Sequence, residues 1–239
     1  MHNAQRKMAR RFRCIEHSAF SILHSAFCIA VIVMSAARPV CAQEPPPRIG
    51  PFALDLHGVV PRFGDDLQLA QSRNLTSQAE LPGSGLGVSA AAHVYLPKIF
   101  GMTVGLGGEV IIARSSTSPE ASATTTATIR PVTEIFKEIS PQLSLNFGSG
   151  NGWSYLSAGI GQTIWSIVPE GQTPLPADEE VIRTLNYGGG ARWFAKKHLA
   201  FSLDVRLYEI PAGTTIAPGA LDASPRTLLL VIGAGISIK

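Results

Sequence analysis

Alternation with a period of two dominates the chain from residue 52 onward, and no helical period is sustained over a useful length. The clearest stretch is 199–209. Leu199, Phe201, Leu203, Val205 and Leu207 fall on one face, and Ala200, Ser202, Asp204, Arg206 and Tyr208 on the other. The pattern predicts eight strands, over 52–63, 84–96, 103–114, 138–147, 153–165, 183–194, 199–209 and 226–238. Strands of about 11 residues, rising ~3.3 Å each and tilted near ~40°, match an apolar band about 25 Å tall.

The connections are as patterned as the strands. Short turns are predicted at 97–102, 148–152 and 195–198, and long loops rich in Pro, Ser and Thr at 64–83, 115–137, 166–182 and 210–225. Long and short alternate throughout. In an up-and-down barrel every second connection lies at the same end, so the long loops share one rim and the turns the other. Such an order belongs to outer-membrane barrels. The fold class expected is therefore all-β, an eight-stranded antiparallel up-and-down transmembrane β-barrel.

Alternation alone leaves open which face points inward. A soluble lipocalin-like barrel would bury the apolar face, and a membrane barrel would expose it to lipid. Glycines recur on the polar face (Gly105 and Gly107, Gly159 and Gly161, Gly188 and Gly190, Gly233 and Gly235), where a narrow interior needs space. Aromatic residues gather near strand ends. Tyr95, Phe100, Phe147, Trp153, Trp193, Phe194 and Phe201 lie by the short turns, and Phe63, Trp165 and Tyr208 by the long loops. That placement predicts two interfacial girdles. Arg62 and Arg114 share the apolar parity but abut the long loops, where their side chains reach headgroups.

The first 42 residues are set apart. Arg6, Lys7, Arg10, Arg11 and Arg13 precede a weakly charged run that is most apolar over 26–37, and Val40-Cys41-Ala42 offers small residues for cleavage after Ala42. The expected organisation is a signal peptide over 1–42, a short periplasmic segment over 43–51 and the barrel over 52–239; Met8 is an alternative initiator. The precursor carries 20 basic and 17 acidic residues, and removing the leader takes six and one of these, leaving 14 against 16 and a charge near −2. The alkaline balance thus belongs to the leader, and no electrostatic case for nucleic-acid binding remains. All three cysteines precede the cut, which excludes a disulfide frame or thiolate metal site in the mature chain.

Residues 185–209, LNYGGGARWFAKKHLAFSLDVRLYE, resemble a hairpin of small bacterial outer-membrane barrels through Gly188-Gly189-Gly190, Ala191-Arg192-Trp193-Phe194, a basic short turn and Asp204-Val205-Arg206. The families are the OmpA-like and OmpW-like β-barrel domains. The resemblance implies an outer-membrane location, contact with outer-membrane lipid and lipopolysaccharide, and insertion by the assembly machinery. OmpW-like barrels imply small-solute passage or hydrophobic-ligand binding as the alternative function. Such barrels often end in an aromatic residue read by that machinery, whereas this chain ends Ile236-Ser237-Ile238-Lys239.

The polar parity gathers Asp55, His57, Glu109, Gln142, Asn146, Arg192, Asp204 and Arg206 into an expected interior network. Enclosed charges must pair, because each costs several kcal/mol otherwise. A conduction path through the same residues is the sharper alternative, but eight strands leave an interior filled by side chains. No nucleophile–base motif, metal-ligand spacing or phosphate loop is evident, so neither an enzyme nor a cofactor is expected. Asp178-Glu179-Glu180 and Asp65-Asp66 read as solvated acidic loops, with divalent-cation or lipopolysaccharide bridging as the alternative. The reading is a monomeric structural or surface-interacting barrel.

Overall fold

The computed structural model describes residues 47–117 and 130–239. Eight strands follow one another around a closed antiparallel barrel: β1 (Phe52–Arg62), β2 (Leu86–Tyr95), β3 (Thr103–Thr117), β4 (Val132–Ser149), β5 (Gly152–Pro169), β6 (Val181–Lys196), β7 (Leu199–Ile210) and β8 (Thr227–Ile238). The last strand returns to the first in a register running from Leu54↔Ile238 to Arg62↔Leu230. Closure leaves no sheet edge with unpaired backbone groups. The eight-stranded up-and-down topology is thus the one the alternation predicts. The leader cleavage falls outside the described residues, as does segment 118–129 of the low-complexity loop.

Alternation translates directly into inside and outside. Along β1, Asp55, His57 and Val59 are buried while Leu54, Leu56 and Val60 are exposed. The same inversion of a soluble protein's order runs round the wall, where Val88, Ile112, Ile139, Ile160, Val205 and Ile232 all face out. Inward glycines make the room this requires. A side chain at Gly190 would come within 2.6 Å of the Tyr155 hydroxyl, and one at Gly161 would collide with the Glu138 carboxylate.

The structure corrects the expected elements at the long-loop end. β4 begins at Val132 rather than at 138, and pairs there with Thr117 of β3. β5 likewise continues to Pro169. Val132, Glu134 and Phe136 face in while Thr133, Ile135 and Lys137 face out. Both faces mix apolar with polar groups there, so no clean alternation marks the strand. Loop 63–85 carries a six-residue helix, α1 (Leu67–Ser72), shorter than any periodicity window. Asp66 caps it, accepting from the Leu69 amide at 2.7 Å.

One of the two expected aromatic girdles is present. By the short turns, Phe52, Trp193 and Phe201 face outward, and Trp193 stacks on Phe201 at 6.1 Å. Trp153 and Tyr95 turn inward instead, edge to face at 5.8 Å. At the other rim Phe63, Trp165 and Tyr208 are all buried. Position near a strand end set their height, but parity set their face, and parity points into the barrel.

Candidate functional site

All eight residues expected inside the barrel are buried there. Arg192 on β6 forms a two-pronged pair with Asp55 on β1, Nε to Oδ1 at 2.8 Å and Nη2 to Oδ2 at 2.6 Å. Its guanidinium also lies 4.1 Å from the centre of the Tyr155 ring, and Ser237 donates to the same Asp55 carboxylate. Arg206 on β7 reaches Glu109 on β3 at 3.1 Å and Asp204 at 3.4 Å, and donates to Ser157 at 2.8 Å and Asn186 at 3.1 Å. Gln142 donates to Glu109 at 2.6 Å. β3 and β7 stand opposite each other in the barrel, and β1 and β6 are three strands apart. These pairs therefore cross the lumen rather than line it.

Two of the eight stand apart from that cluster. His57 Nε2 contacts Ser202 Oγ at 2.7 Å, and Asn146 donates locally to Thr103 O and Ser144 Oγ. The His57–Ser202 contact is buried in the wall side of the lumen, where it ties β1 to β7. Ser202 shares the polar parity of Asp204 and Arg206 but lay outside the expected network, as did the interior partners Tyr155, Asn186, Ser237, Glu134 and Glu138. Tyr155 donates to Asp204 at 2.7 Å, and Asn186 to Glu138 at 2.7 Å. Glu138 shares parity with Gln142, and that signal could have found it. Glu134 lies in the stretch read as loop.

Counted together, five carboxylates (Asp55, Glu109, Glu134, Glu138, Asp204) meet two guanidiniums (Arg192, Arg206) inside the described barrel. Both arginines go to Asp55, Glu109 and Asp204. Glu138 is held by Asn186 and Ser140, and Glu134 by the Trp165 indole N–H at 2.7 Å. Among the described residues no group of three or more His, Cys, Asp or Glu is arranged to hold a metal ion.

Toward the long loops the lumen turns apolar. Val59, Ile111, Phe136, Trp165, Tyr208 and Val231 form one buried cluster with Leu69 and Ala70 of α1. Phe136 meets Tyr208 edge to face at 5.2 Å. The helix thus inserts its apolar side as a plug, and the loops lock above it. Arg73, fully buried, pairs with Asp178 at 3.0 Å and donates to the Ala177 carbonyl at 3.2 Å. Burial pulls the Arg73 pKa below its ordinary value, against the opposing pull of Asp178 and Glu180.

The expectation of solvated acidic loops fails at Asp178, while Asp66 is exposed and Glu180 half-buried. Asp178 is buried and also accepts from the Ile167 amide at 2.9 Å and the Leu175 amide at 2.8 Å. Asp66 is the cap of α1. Glu180 accepts from the Thr214 amide at 2.9 Å, the Thr214 hydroxyl and the Thr215 amide at 3.2 Å, joining two loops. Slight burial pushes the Glu180 carboxyl up, but the hydrogen bonds from Thr214 and Thr215 outweigh it and hold the pKa below the usual glutamate value. A depressed pKa means that the contact is complete at neutral pH and is lost as pH falls through the lowered value. Amide exchange at Thr214 and Thr215 is therefore expected to accelerate in acid, and Glu180→Gln to blunt that pH dependence. Exchange independent of pH, once intrinsic chemistry is removed, would count against it.

At the short-turn end a recess of about 710 Å³ opens beside Arg48, Phe52, Phe194, Lys196, His198 and Lys239. Its inner end meets Phe194, which stacks on Trp153 at 5.0 Å. Trp153 in turn lies beneath the Arg192 guanidinium, 5.6 Å away.

No family model and no curated protein matches the chain. Among solved structures it is similar to Neisserial surface protein A, at 12% identity over 80% of this chain and 97% of that one, with a TM-score of 0.48. It is similar also to Ail, the attachment invasion locus protein of Yersinia pestis, solved with the heparin analogue sucrose octasulfate. There the identity is 12% over 78% of this chain and 97% of that one, with a TM-score of 0.44. The outer membrane protein AlkL, solved in lipid bilayers, aligns at 14% identity over 84% of this chain and 95% of that one, with a TM-score of 0.36.

Proposed function

We propose that the chain is an integral outer-membrane barrel whose lumen is closed and whose task is carried by its surfaces, as an envelope component or a platform for a surface partner. The observation that carries this is the inverted wall around a crossed lumen. Exposed leucine, isoleucine and valine belt the outside, while Asp55–Arg192 and Glu109–Arg206 span the inside. In water such a belt would be a large exposed apolar patch, and in a bilayer it is the required surface.

Small-solute passage, the alternative from family resemblance, needs an open path. The ion pairs and the plug of Phe136, Trp165, Tyr208 and α1 occupy that path. The loops are instead braced. Arg73–Asp178, Glu180–Thr214 and a hydrogen bond from Asn74 to the Pro218 carbonyl hold three of them together. A braced platform suits contact with a partner, because little loop entropy is lost on binding.

Expressed with its leader, the protein is expected in the outer-membrane fraction, migrating differently on gels before and after heating. Recovery wholly from the soluble periplasm would remove the membrane reading. In a planar bilayer the purified barrel is expected to give no steady conductance. A steady wild-type conductance would replace the closed barrel with a channel.

A further inference from the structure

Five outward polar residues of the wall fall on one level. The hydrogen-bonded ladder leads from Leu56 through Ala90, Val110, Ile139 and Gln162 to Arg183. With strands tilted by about 40°, such a path climbs by a little more than one residue's rise at each strand. Arg62 stands six residues above the path on β1, Arg114 four above it on β3 and Lys137 two above it on β4, while Gln162 and Arg183 lie on it. The falling offsets offset the climb, so the five side chains form a single arc. All five are exposed, and the arc borders the apolar belt on its long-loop side.

Charge on this arc is one-sided. The described strands carry one outward acid near this level, Glu209, and Arg226 already pairs with it. Arg114, Lys137 and Arg183 make no ion pair among the described residues, while five carboxylates are sequestered inside. Between Lys137 and Gln162 the wall carries a groove of about 280 Å³ that crosses the arc, from Ile112 and Ile139 on its belt side to Ile164 and Val181 on its long-loop side. Cationic heads flanking an apolar slot, at the boundary of a membrane belt, match an anionic headgroup with acyl chains.

We infer that the outer wall across β3–β6 binds a phosphorylated, acylated glycolipid, the lipopolysaccharide anchor of the outer leaflet, with Arg114, Lys137, Gln162 and Arg183 on its phosphates and an acyl chain in the belt-side part of the groove, over Ile112 and Ile139. This rests on the membrane reading above. Lipopolysaccharide is the occupant chosen because the arc lies on the long-loop side, which faces the outer leaflet. Its phosphorylated sugars also present the multiple charges that an arc of three cations can meet at once.

The test uses the full mature barrel in detergent micelles and measures retention of bisphosphorylated lipid A, dephosphorylated lipid A and phosphatidylglycerol. Wild type is expected to retain the first best. The double variant Lys137→Ala/Arg183→Ala is expected to weaken that retention about 30-fold. Arg226→Ala, on the far side of the barrel, should leave it unchanged. Equal retention of the dephosphorylated lipid, equal retention of phosphatidylglycerol, or an unaffected double variant would each overturn the site. Heat-modifiable migration of the same variants reads the membrane barrel independently. A folded double variant that still binds therefore rejects the site alone, whereas loss of that migration in wild type rejects the reading beneath it.

Discussion

Arg192→Ala is expected to destabilise the barrel by about 3–5 kcal/mol, the largest loss from any single interior substitution. The guanidinium makes both prongs of the pair to Asp55, at 2.8 and 2.6 Å, with both side chains almost wholly buried. Its removal leaves a carboxylate enclosed, with Ser237 as its remaining donor and His93 Nδ1 no nearer than 3.9 Å. The desolvation already spent on Asp55 is then no longer repaid. Loss of the Arg192 stack on Tyr155 adds about 1 kcal/mol. The double variant Asp55→Asn/Arg192→Met removes both charges and keeps most of the volume, so it should recover much of the loss. Urea unfolding in detergent micelles, followed by tryptophan fluorescence, measures all three proteins. A single variant within about 1 kcal/mol of wild type would mean that water or a rearranged partner reaches Asp55, and that the lumen is less closed than its ion pairs imply.

That argument depends on residues legible in the sequence, and their legibility has a physical limit. Where the interior is polar and the exterior apolar, parity separates the two: Asp204 and Arg206 against Leu203 and Val205 is the clearest case. Asp55, Glu109 and Arg192 follow in the same way. Toward the long loops the lumen becomes apolar as well, and the signal vanishes. Ile111 faces in and Ile112 out, Phe136 in and Ile135 half-out, Val231 in and Ile232 out. Two apolar faces leave no period to read, and at the beginning of β4 both faces mix apolar with polar groups, so that stretch resembled loop and the buried Glu134 was lost with it. The aromatic residues show the same limit. Trp165 near a strand end fits an interfacial girdle by height, yet it shares parity with Thr163 and Gly161 and points into the lumen. The plug itself needs a contact between α1 and strands distant in sequence, which no local pattern encodes.

The braced loops carry the second large effect. Arg73→Ala is expected to raise the rate of protease cleavage within 64–83 by about a hundredfold or more, with the strands untouched. Arg73 sits between loops that have no other buried ion pair among the described residues, bonding Asp178 at 3.0 Å, the Ala177 carbonyl at 3.2 Å and the Trp165 carbonyl at 3.5 Å. Breaking a buried pair of this kind costs about 3–5 kcal/mol where the remaining charge has no other donor. Asp178 keeps the amides of Ile167 and Leu175, so the lower end of that range applies. Three kcal/mol off a local opening equilibrium multiplies the open population by about 150. The helix plug responds because α1 ends one residue before Arg73, and Leu69 and Ala70 are seated by the same segment. Thermolysin cleavage near Leu67 and Leu75 reads the opening directly. Arg73→Lys keeps the charge but not the planar fork that serves a carboxylate and two carbonyls at once, so it should fall between wild type and alanine. Heat-modifiable migration should be the same in all three, since β1–β8 pair without Arg73. A cleavage rate indifferent to Arg73 would leave the loops held by Glu180–Thr214 and Asn74–Pro218 alone, and the rigid platform would lose its main brace.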